Sequence, residues 1–339
     1  MPELPEVETI VRDLRKCVLN LKIAQIEICD AKVWRGKISP QFLVGQKFCE
    51  ISRRGKFLIF KIDENLFLIA HLRMTGQFFF VENLNLKIAE PKFENSKIKK
   101  NETLFLSFPR KRESRTIAEQ KFKNENLLQI PGRVRDDKNK IWGKKNEIVA
   151  GGHGEKIYFS AVRAEILFEN GAKLFFADTR KFGFLEIFSA AQLRKFSENW
   201  GVEPLEKKFT FAKFRELLRP EKNIKSFLLD QKIIAGIGNI YADEILFAAK
   251  VAPVQKCKNL NEKKLRAIFL NLKKVLRAGI ENRGTTFNSF RDARGESGSF
   301  QKFLKVYGRG KKVCVRCGAN LRKIRVAGRG TVFCEKCQK

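Results

Sequence analysis

The 339-residue chain contains no run of about 18 apolar residues, which excludes a membrane-spanning helix. Acidic residues are scarce. Against 69 Lys and Arg stand only 37 Asp and Glu, a formal net charge of +32. Histidine and methionine occur twice each, so neither a histidine-rich metal site nor a methionine-lined surface is available. The opening Met-Pro-Glu-Leu-Pro-Glu is acidic where a secretory leader would be basic, so a cytoplasmic protein is expected. Hydrophobic residues make up 43% of the chain, enough for real cores and too many for a wholly disordered polymer. A soluble, strongly basic protein remains, and so large a positive charge concentrates polyanions, nucleic acid first among them. A bias spread evenly over the surface is the plainer alternative.

The eight cysteines divide by spacing. Cys17, Cys29, Cys49 and Cys257 stand alone, as buried thiols of a reduced protein would. Cys314, Cys317, Cys334 and Cys337 form two C-x2-C pairs separated by sixteen residues. That spacing lets each pair offer two thiolates to one tetrahedral ion, so one structural Zn2+ is expected, with disulfides as the alternative.

Residues 4–16 read as a helix, with Pro5 in the first turn and Val7, Ile10, Val11 and Leu14 on one face. From Ile23 to Phe80 short β-branched and aromatic runs predict strands, among them 56–61 and 66–70 around an Asp63-Glu64-Asn65 break. Strands resume at 165–168 and 173–176 around Asn170-Gly171, a hairpin signal. Between Leu84 and Glu155 the order fails among Lys/Arg clusters and Asn, and an insertion, largely disordered, is expected. It either adds unspecific DNA affinity or is a tolerated surface insert without a job. Helices are predicted at 209–218, 224–229, 240–250 and 261–280, the last with a stripe of Leu265, Ile268, Phe269, Leu272 and Leu276. Gly201-Val202-Glu203-Pro204 reads as a hinge. The domains expected are a β-domain at 1–200 carrying the 84–155 insertion, a helical domain at 206–300, and a cationic zinc module at 301–339.

Several residues have chemistry to offer. Removal of Met1 would leave Pro2 as a secondary amine with a pKa of about 8, a useful nucleophile at neutral pH. Attack on a sugar C1′ would give an iminium that permits β-elimination, with Glu3 beside it to move a proton. A plain helix start is the rival reading. His71 ends an apolar strand, either as a core histidine or as a phosphate contact. Met74 follows at the same strand end, as a core plug or a wedge between bases. Asp178-Thr179-Arg180-Lys181-Phe182-Gly183 mixes cations and an aromatic in a way that suits an unpaired base. Gly236-Ile237-Gly238-Asn239 opens a helix whose N–H groups, with the Asn239 amide, can hold a phosphate. The GxGxxG of a dinucleotide loop is absent.

Together PELPEVET, RRGKFL around Lys56, HLRMTG, DTRKFG, GIGNIYADEILF, RGTTF, VYGR and the four-cysteine tail resemble the bacterial formamidopyrimidine-DNA glycosylases, in the group that includes endonuclease VIII. The resemblance covers both ends and most of the chain apart from the insertion. It implies an α+β fold, a two-sheet β-sandwich with a flanking helix followed by a helical domain with a helix–two-turn–helix and a zinc-bound β-hairpin. It implies a monomeric, nucleoid-associated bacterial enzyme that removes oxidised purines from double-stranded DNA and cleaves the abasic site by β,δ-elimination.

Pro2 would then be the nucleophile, Glu3 its proton partner, and Glu6 a shaper of that site. Lys56 would lie near the lesion phosphate. His71, Lys225, Asn239, Tyr241 and Arg329 would bind or position phosphates. Met74, Arg180 and Phe182 would fill the gap left by the extruded base, with Arg180 facing the orphaned cytosine, while Arg291–Phe300 would cover the base. Where relatives often carry a His-containing stretch, this chain reads Ser160-Ala161-Val162-Arg163, making Arg163 the substitute phosphate ligand. A preference for oxidised pyrimidines and a zinc-ribbon DNA-binding protein without turnover are the alternatives. A zinc nuclease is disfavoured, since four cysteines would fill the coordination sphere.

Overall fold

The computed structural model describes residues 1–82, 147–150, 155–287 and 289–339. Helix α1 (Leu4–Cys17) opens the chain, and strands β1 (Ile23–Ile28), β2 (Trp34–Arg35), β3 (Glu50–Arg54), β4 (Phe57–Lys61), β5 (Leu66–His71) and β6 (Gly76–Val81) follow. A hairpin of β7 (Glu147–Ala150) and β8 (Glu155–Tyr158) precedes β9 (Val162–Phe168), β10 (Lys173–Asp178) and β11 (Phe184–Ser189). Most of the 84–155 insertion lies outside the described residues. Strand β7 falls within that range and pairs antiparallel with β8, so its last part is a hairpin.

The strands form two main sheets, ordered β1-β9-β10-β6 and β2-β11-β5-β4-β3. Between them the inward residues of each pleat close a core with the apolar stripe of α1: Val7, Ile10, Val11 and Leu14 are fully buried there. Asn170-Gly171 makes the expected tight turn between β9 and β10, with Gly171 at φ 84. Cys29 and Cys49, expected to be buried, are exposed, because they flank the edge strands β1 and β3 where side chains run out to solvent.

The connections between the sheets position the later site. β5 belongs to one sheet and β6 to the other, so the turn 72–75 crosses between layers. β10 and β11 cross back through 179–183. His71 pairs with Phe184 in one sheet and Gly76 with Asp178 in the other, so the two corners run side by side.

The second half is helical: α2 (Ala190–Glu198), α3 (Phe211–Glu216), α4 (Ile224–Leu229), α5 (Asn239–Ala248) and α6 (Glu262–Glu281). Thr210, Asn223 and Asn261 cap α3, α4 and α6 through their side-chain oxygens, which sets where each begins. The stripe on α6 packs against α5 in a second core, which also takes in Leu4 from α1. Helix α1 therefore has a foot in both cores. A hairpin of β12 (Arg322–Val326) and β13 (Arg329–Phe333) ends the chain. Among the described residues, no helix is long and apolar enough to cross a membrane.

The expected hinge at 201–204 is instead a pinned crossing. Gly201 N–H donates to Gln231 O at 2.8 Å and Val202 N–H to Ile233 O at 3.0 Å. Glu203, buried, accepts from Gly55 N–H and takes Arg53 at 2.8 Å and Arg54 at 3.0 Å. A Cβ at Gly201 would stand 2.2 Å from the Ile233 carbonyl carbon, so only glycine permits the crossing.

Candidate active site

The amino end is sewn into the helical half. Leu4 N–H donates to Gly236 O at 3.0 Å, and Pro2 is buried. Glu3 turns its carboxylate into the start of α5, accepting N–H bonds from Gly238 at 2.7 Å, Ile240 at 2.9 Å and Tyr241 at 3.4 Å. The glycine-rich segment thus cradles a carboxylate where the sequence pointed to a phosphate, and the positive end of the α5 dipole is already occupied. A Cβ at Gly238 would lie 2.3 Å from Glu3 Cδ, which is why glycine stands there.

Glu6 sits one turn on, 1% exposed. It accepts from Glu3 N–H at 2.8 Å, from the Tyr241 hydroxyl at 2.7 Å and from Thr285 N–H at 2.7 Å. Burial, with Glu3 beside it, raises its pKa to about 7 despite those donors. Burial also pushes Glu3 upward, opposed by Lys56 and the α5 N–H groups. Lys56 comes from the β3–β4 turn, where Gly55 adopts φ 58, and its ammonium donates to Ile237 O at 3.0 Å. Burial pulls Lys56 down. The Met1 ammonium is likewise lowered by burial, with Glu3 and Glu6 opposing and Lys56 and Arg329 adding to the fall. The amine therefore feels two buried carboxylates, the buried Lys56 and the exposed Arg329 together.

The adjacent corners build the second part. Asp178, 1% exposed, is their shared staple. Its Oδ1 accepts from Thr75 Oγ1 and from Arg180 N–H at 3.1 Å, and its Oδ2 from Phe182 N–H at 2.8 Å and Gly183 N–H at 2.7 Å. Arg73 and Lys181 take left-handed φ values of 50 and 57, so both turns are sharp. Met74 (46% exposed) and Phe182 (51%) are thrust outward together. The Arg180 guanidinium lies 3.2 Å from Met74 Sδ and 4.9 Å from the Phe182 ring centre. The three gap-filling candidates converge on one projection. His71, beneath it, stacks on Phe184 and accepts Arg73 N–H at Nδ1, so a neutral ring carries its proton on Nε2. Burial, with Arg73, Lys56 and Arg35 nearby, lowers its pKa to about 3.

Other candidates work from behind the surface. Lys225 is fully buried, its ammonium 2.6 Å from Asp243 Oδ1 and 2.7 Å from Thr331 Oγ1, and it ties α4 and α5 to β13. Tyr241 is equally buried and spends its hydroxyl on Glu6. Asn239 donates from Nδ2 to Gly330 O at 2.9 Å, holding the hairpin. Arg163 is turned inward, donating from Nε to Asp178 O at 2.8 Å, which makes it a brace for the corner and no phosphate ligand. Arg329 is exposed just after the left-handed pair Ala327 and Gly328 at the hairpin tip.

The roles of Asp178, Thr285 and Asp243 were not legible in the sequence, because each depends on partners about 20 to 280 residues away along the chain or on backbone N–H groups. Nor was a cleft of about 550 Å3 beside Asn239, Tyr307 and Gly330, made basic by Lys311, Lys312 and Lys323.

The four tail cysteines bring their sulfurs within 4.8 Å of one another. Cys317 and Cys334 are 3.5 Å apart and Cys314 and Cys337 3.9 Å, near the ~3.8 Å edge of a tetrahedron with metal–sulfur bonds of about 2.3 Å. The set fits one structural zinc, and four thiolates leave no open position for bond chemistry.

Comparison with known proteins agrees with this geometry. Residues 1–123 match the formamidopyrimidine-DNA glycosylase N-terminal domain, residues 200–291 the formamidopyrimidine-DNA glycosylase H2TH domain, and residues 311–339 a zinc finger found in FPG and IleRS. The formamidopyrimidine-DNA glycosylase of Desulfitobacterium hafniense is 35% identical over 344 residues, covering 100% of both chains. That of Mycoplasma pneumoniae is 33% identical, covering 100% of this chain and 99% of the relative. The Lactococcus lactis Fpg in complex with an abasic site containing DNA superposes with a TM-score of 0.71 at 30% identity, covering 99% of each chain. Its complex with a Fapy-dG containing DNA gives 0.71 at 30% identity, covering 99% of this chain and 100% of that one. With every segment of the match in order and the projection, enclosed amine and zinc hairpin in place, the chain belongs to the formamidopyrimidine-DNA glycosylase family.

Proposed function

We propose that the chain is a base-excision-repair glycosylase that removes oxidised purines, 8-oxoguanine and formamidopyrimidines, from duplex DNA and then cleaves the abasic site. The observation that carries this reading is the burial of Pro2 with Glu3, Glu6 and Lys56 at the amino end, with the exposed Arg329 close enough to act on the terminal amine. Loss of Met1 leaves the Pro2 nitrogen among these groups, where burial favours the free amine. The nitrogen bonds to C1′ as the glycosidic bond breaks, and the base departs with the electron pair and takes up a proton. Glu3, its pKa raised, donates a proton to O4′ as the sugar opens. The resulting iminium acidifies C2′, and two successive eliminations expel the 3′ and 5′ phosphates before water releases Pro2.

Met74, Arg180 and Phe182 enter the stack and hold the hole open, which offsets part of the few kcal/mol of unstacking. Lys56, His71 through Nε2–H and Arg329 hold the phosphates of the turned-out nucleotide. The domain division is proposed on the same reading: a catalytic β-domain at 1–200, a helical DNA-binding domain at 206–300 and a zinc finger at 301–339.

Borohydride reduction on a duplex with 8-oxoguanine opposite cytosine tests the mechanism. A covalent protein–DNA adduct is expected, reduced at least about tenfold by Pro2→Gly. Tight binding without an adduct would leave only the DNA-binding reading. A second reading is supported by a solved complex of Lactococcus lactis Fpg with an oxidized pyrimidine containing DNA. Faster trapping on an oxidised-pyrimidine duplex would favour it.

A further inference from the structure

Behind the site lies a charge cluster that the reaction above leaves unused. Asp13 on α1 and Asp292, beyond α6, are 2% and 0% exposed. Both carboxylates converge on Arg283. Its NH2 lies 2.6 Å from Asp13 Oδ2 and its Nε 3.0 Å from Asp292 Oδ2, with a further bond from NH2 to Asp292. Two buried carboxylates are costly to assemble unless each lone pair finds a donor. Asp292 meets that demand with its own loop, as Oδ1 accepts the N–H groups of Arg294 and Glu296, each at 2.9 Å. Arg283 itself is aimed by a left-handed backbone, φ 57, where α6 ends.

The loop these charges fix runs past the reacting groups. At its start Thr285 N–H donates to Glu6 at 2.7 Å, and at its middle the Ser289 hydroxyl donates to Met74 O at 3.4 Å. Further on Phe80 N–H donates to Ala293 O at 2.9 Å, and Phe290 and Ala293 enter the sandwich core. The segment therefore links the Glu6 carboxylate, the Met74 turn and the sandwich core.

We propose that Arg283 is a positioning residue for base excision: by joining Asp13 to Asp292 it fixes residues 292–296 against α1 and seats the damaged base over the Pro2 nitrogen. The inference rests on the glycosylase reading and adds to it that the clamp acts only when a base is present. An abasic nucleotide has nothing for the loop to seat, so the two halves of the reaction must respond differently.

Single-turnover rates on a duplex with 8-oxoguanine opposite cytosine and on one with a preformed abasic site separate them. Arg283→Met and Asp292→Asn should slow base release roughly tenfold to a hundredfold, the scale of a misplacement of about 1 Å, and leave abasic cleavage within about twofold. Arg283→Lys keeps the charge and loses the fork that spans two carboxylates, so its rate should fall between. Equal loss on both duplexes overturns the assignment, as does no loss on either. If Arg283→Met melts far below the wild type, Asp13→Asn decides, since it cuts the α1 side and leaves the loop's own turn intact. A wild type that cleaves the abasic duplex and releases no oxidised base overturns the excision reading and the inference with it, and is recognised before any variant is made.

Discussion

Glu3 and Glu6 stand one helical turn apart and have different work. Glu3 is held by backbone N–H groups of another helix, while Glu6 gathers a phenol and two N–H groups and is raised to about 7. That value exceeds the 4.5 of a free carboxyl, so the folded state keeps a proton that the unfolded chain releases between the two. Stability from this group is complete below pH 4.5 and is lost as pH rises through about 7. Denaturant titrations of the wild type at stepped pH should show a decline of about 3 kcal/mol across that window, and Glu6→Gln should flatten it. An unaltered slope would place the proton on another buried carboxyl, such as Asp243, which burial raises to about 6 against the pull of Lys225. Much of this was legible as residue types: Pro2, Glu3, Lys56 and the wedge set were marked by motif. What each touches was not, because a carboxylate that receives its N–H donors from a helix more than 230 residues on leaves no local trace.

Among elements, α1, α4, α6 and the β9–β10 hairpin follow their sequence signals closely, since their periods and caps are local. Helix α2 is only nine residues long, too short to show much apolar periodicity, although Ser189 and Gln192 form a capping box, with Gln192 N–H donating to Ser189 Oγ at 3.2 Å. Its short apolar pattern serves a satellite cluster around Phe57 and Trp200. The pinned crossing at 201–204 differs from the expected hinge for a related reason: glycine and proline signal a turn, and only the fold shows what the turn is bonded to. The zinc hairpin makes a prediction at this scale. Thr331 and Val332 on β13 hold Lys225 and Asp243, so loss of the metal should release the strand that carries Arg329. Cys334→Ser or chelation should melt the tail and weaken DNA binding at least about tenfold, with the β-sheet circular dichroism of the first half retained. Unchanged binding would show that the hairpin needs no ion.

For the molecule as a whole, charge and exposed projection are separate instruments. The net charge of +32 should dominate affinity through counterion release. If six to ten phosphates are engaged, binding should weaken about 10³- to 10⁵-fold between 50 and 200 mM salt. Undamaged and lesion-bearing duplexes should give log-log slopes that agree within about one unit if, as proposed, Met74, Arg180 and Phe182 address bases and release few ions. Anisotropy titrations measure both slopes, and a flat response would mean that the positive surface is merely solvated.

Helix α1, lodged in two interiors at once, also dictates how the polypeptide can be divided. A cut near Gly201 would strand Leu4 on one fragment and its apolar neighbours on the other. Separately expressed pieces would each present an open seam, and catalysis would return only where they reassociate.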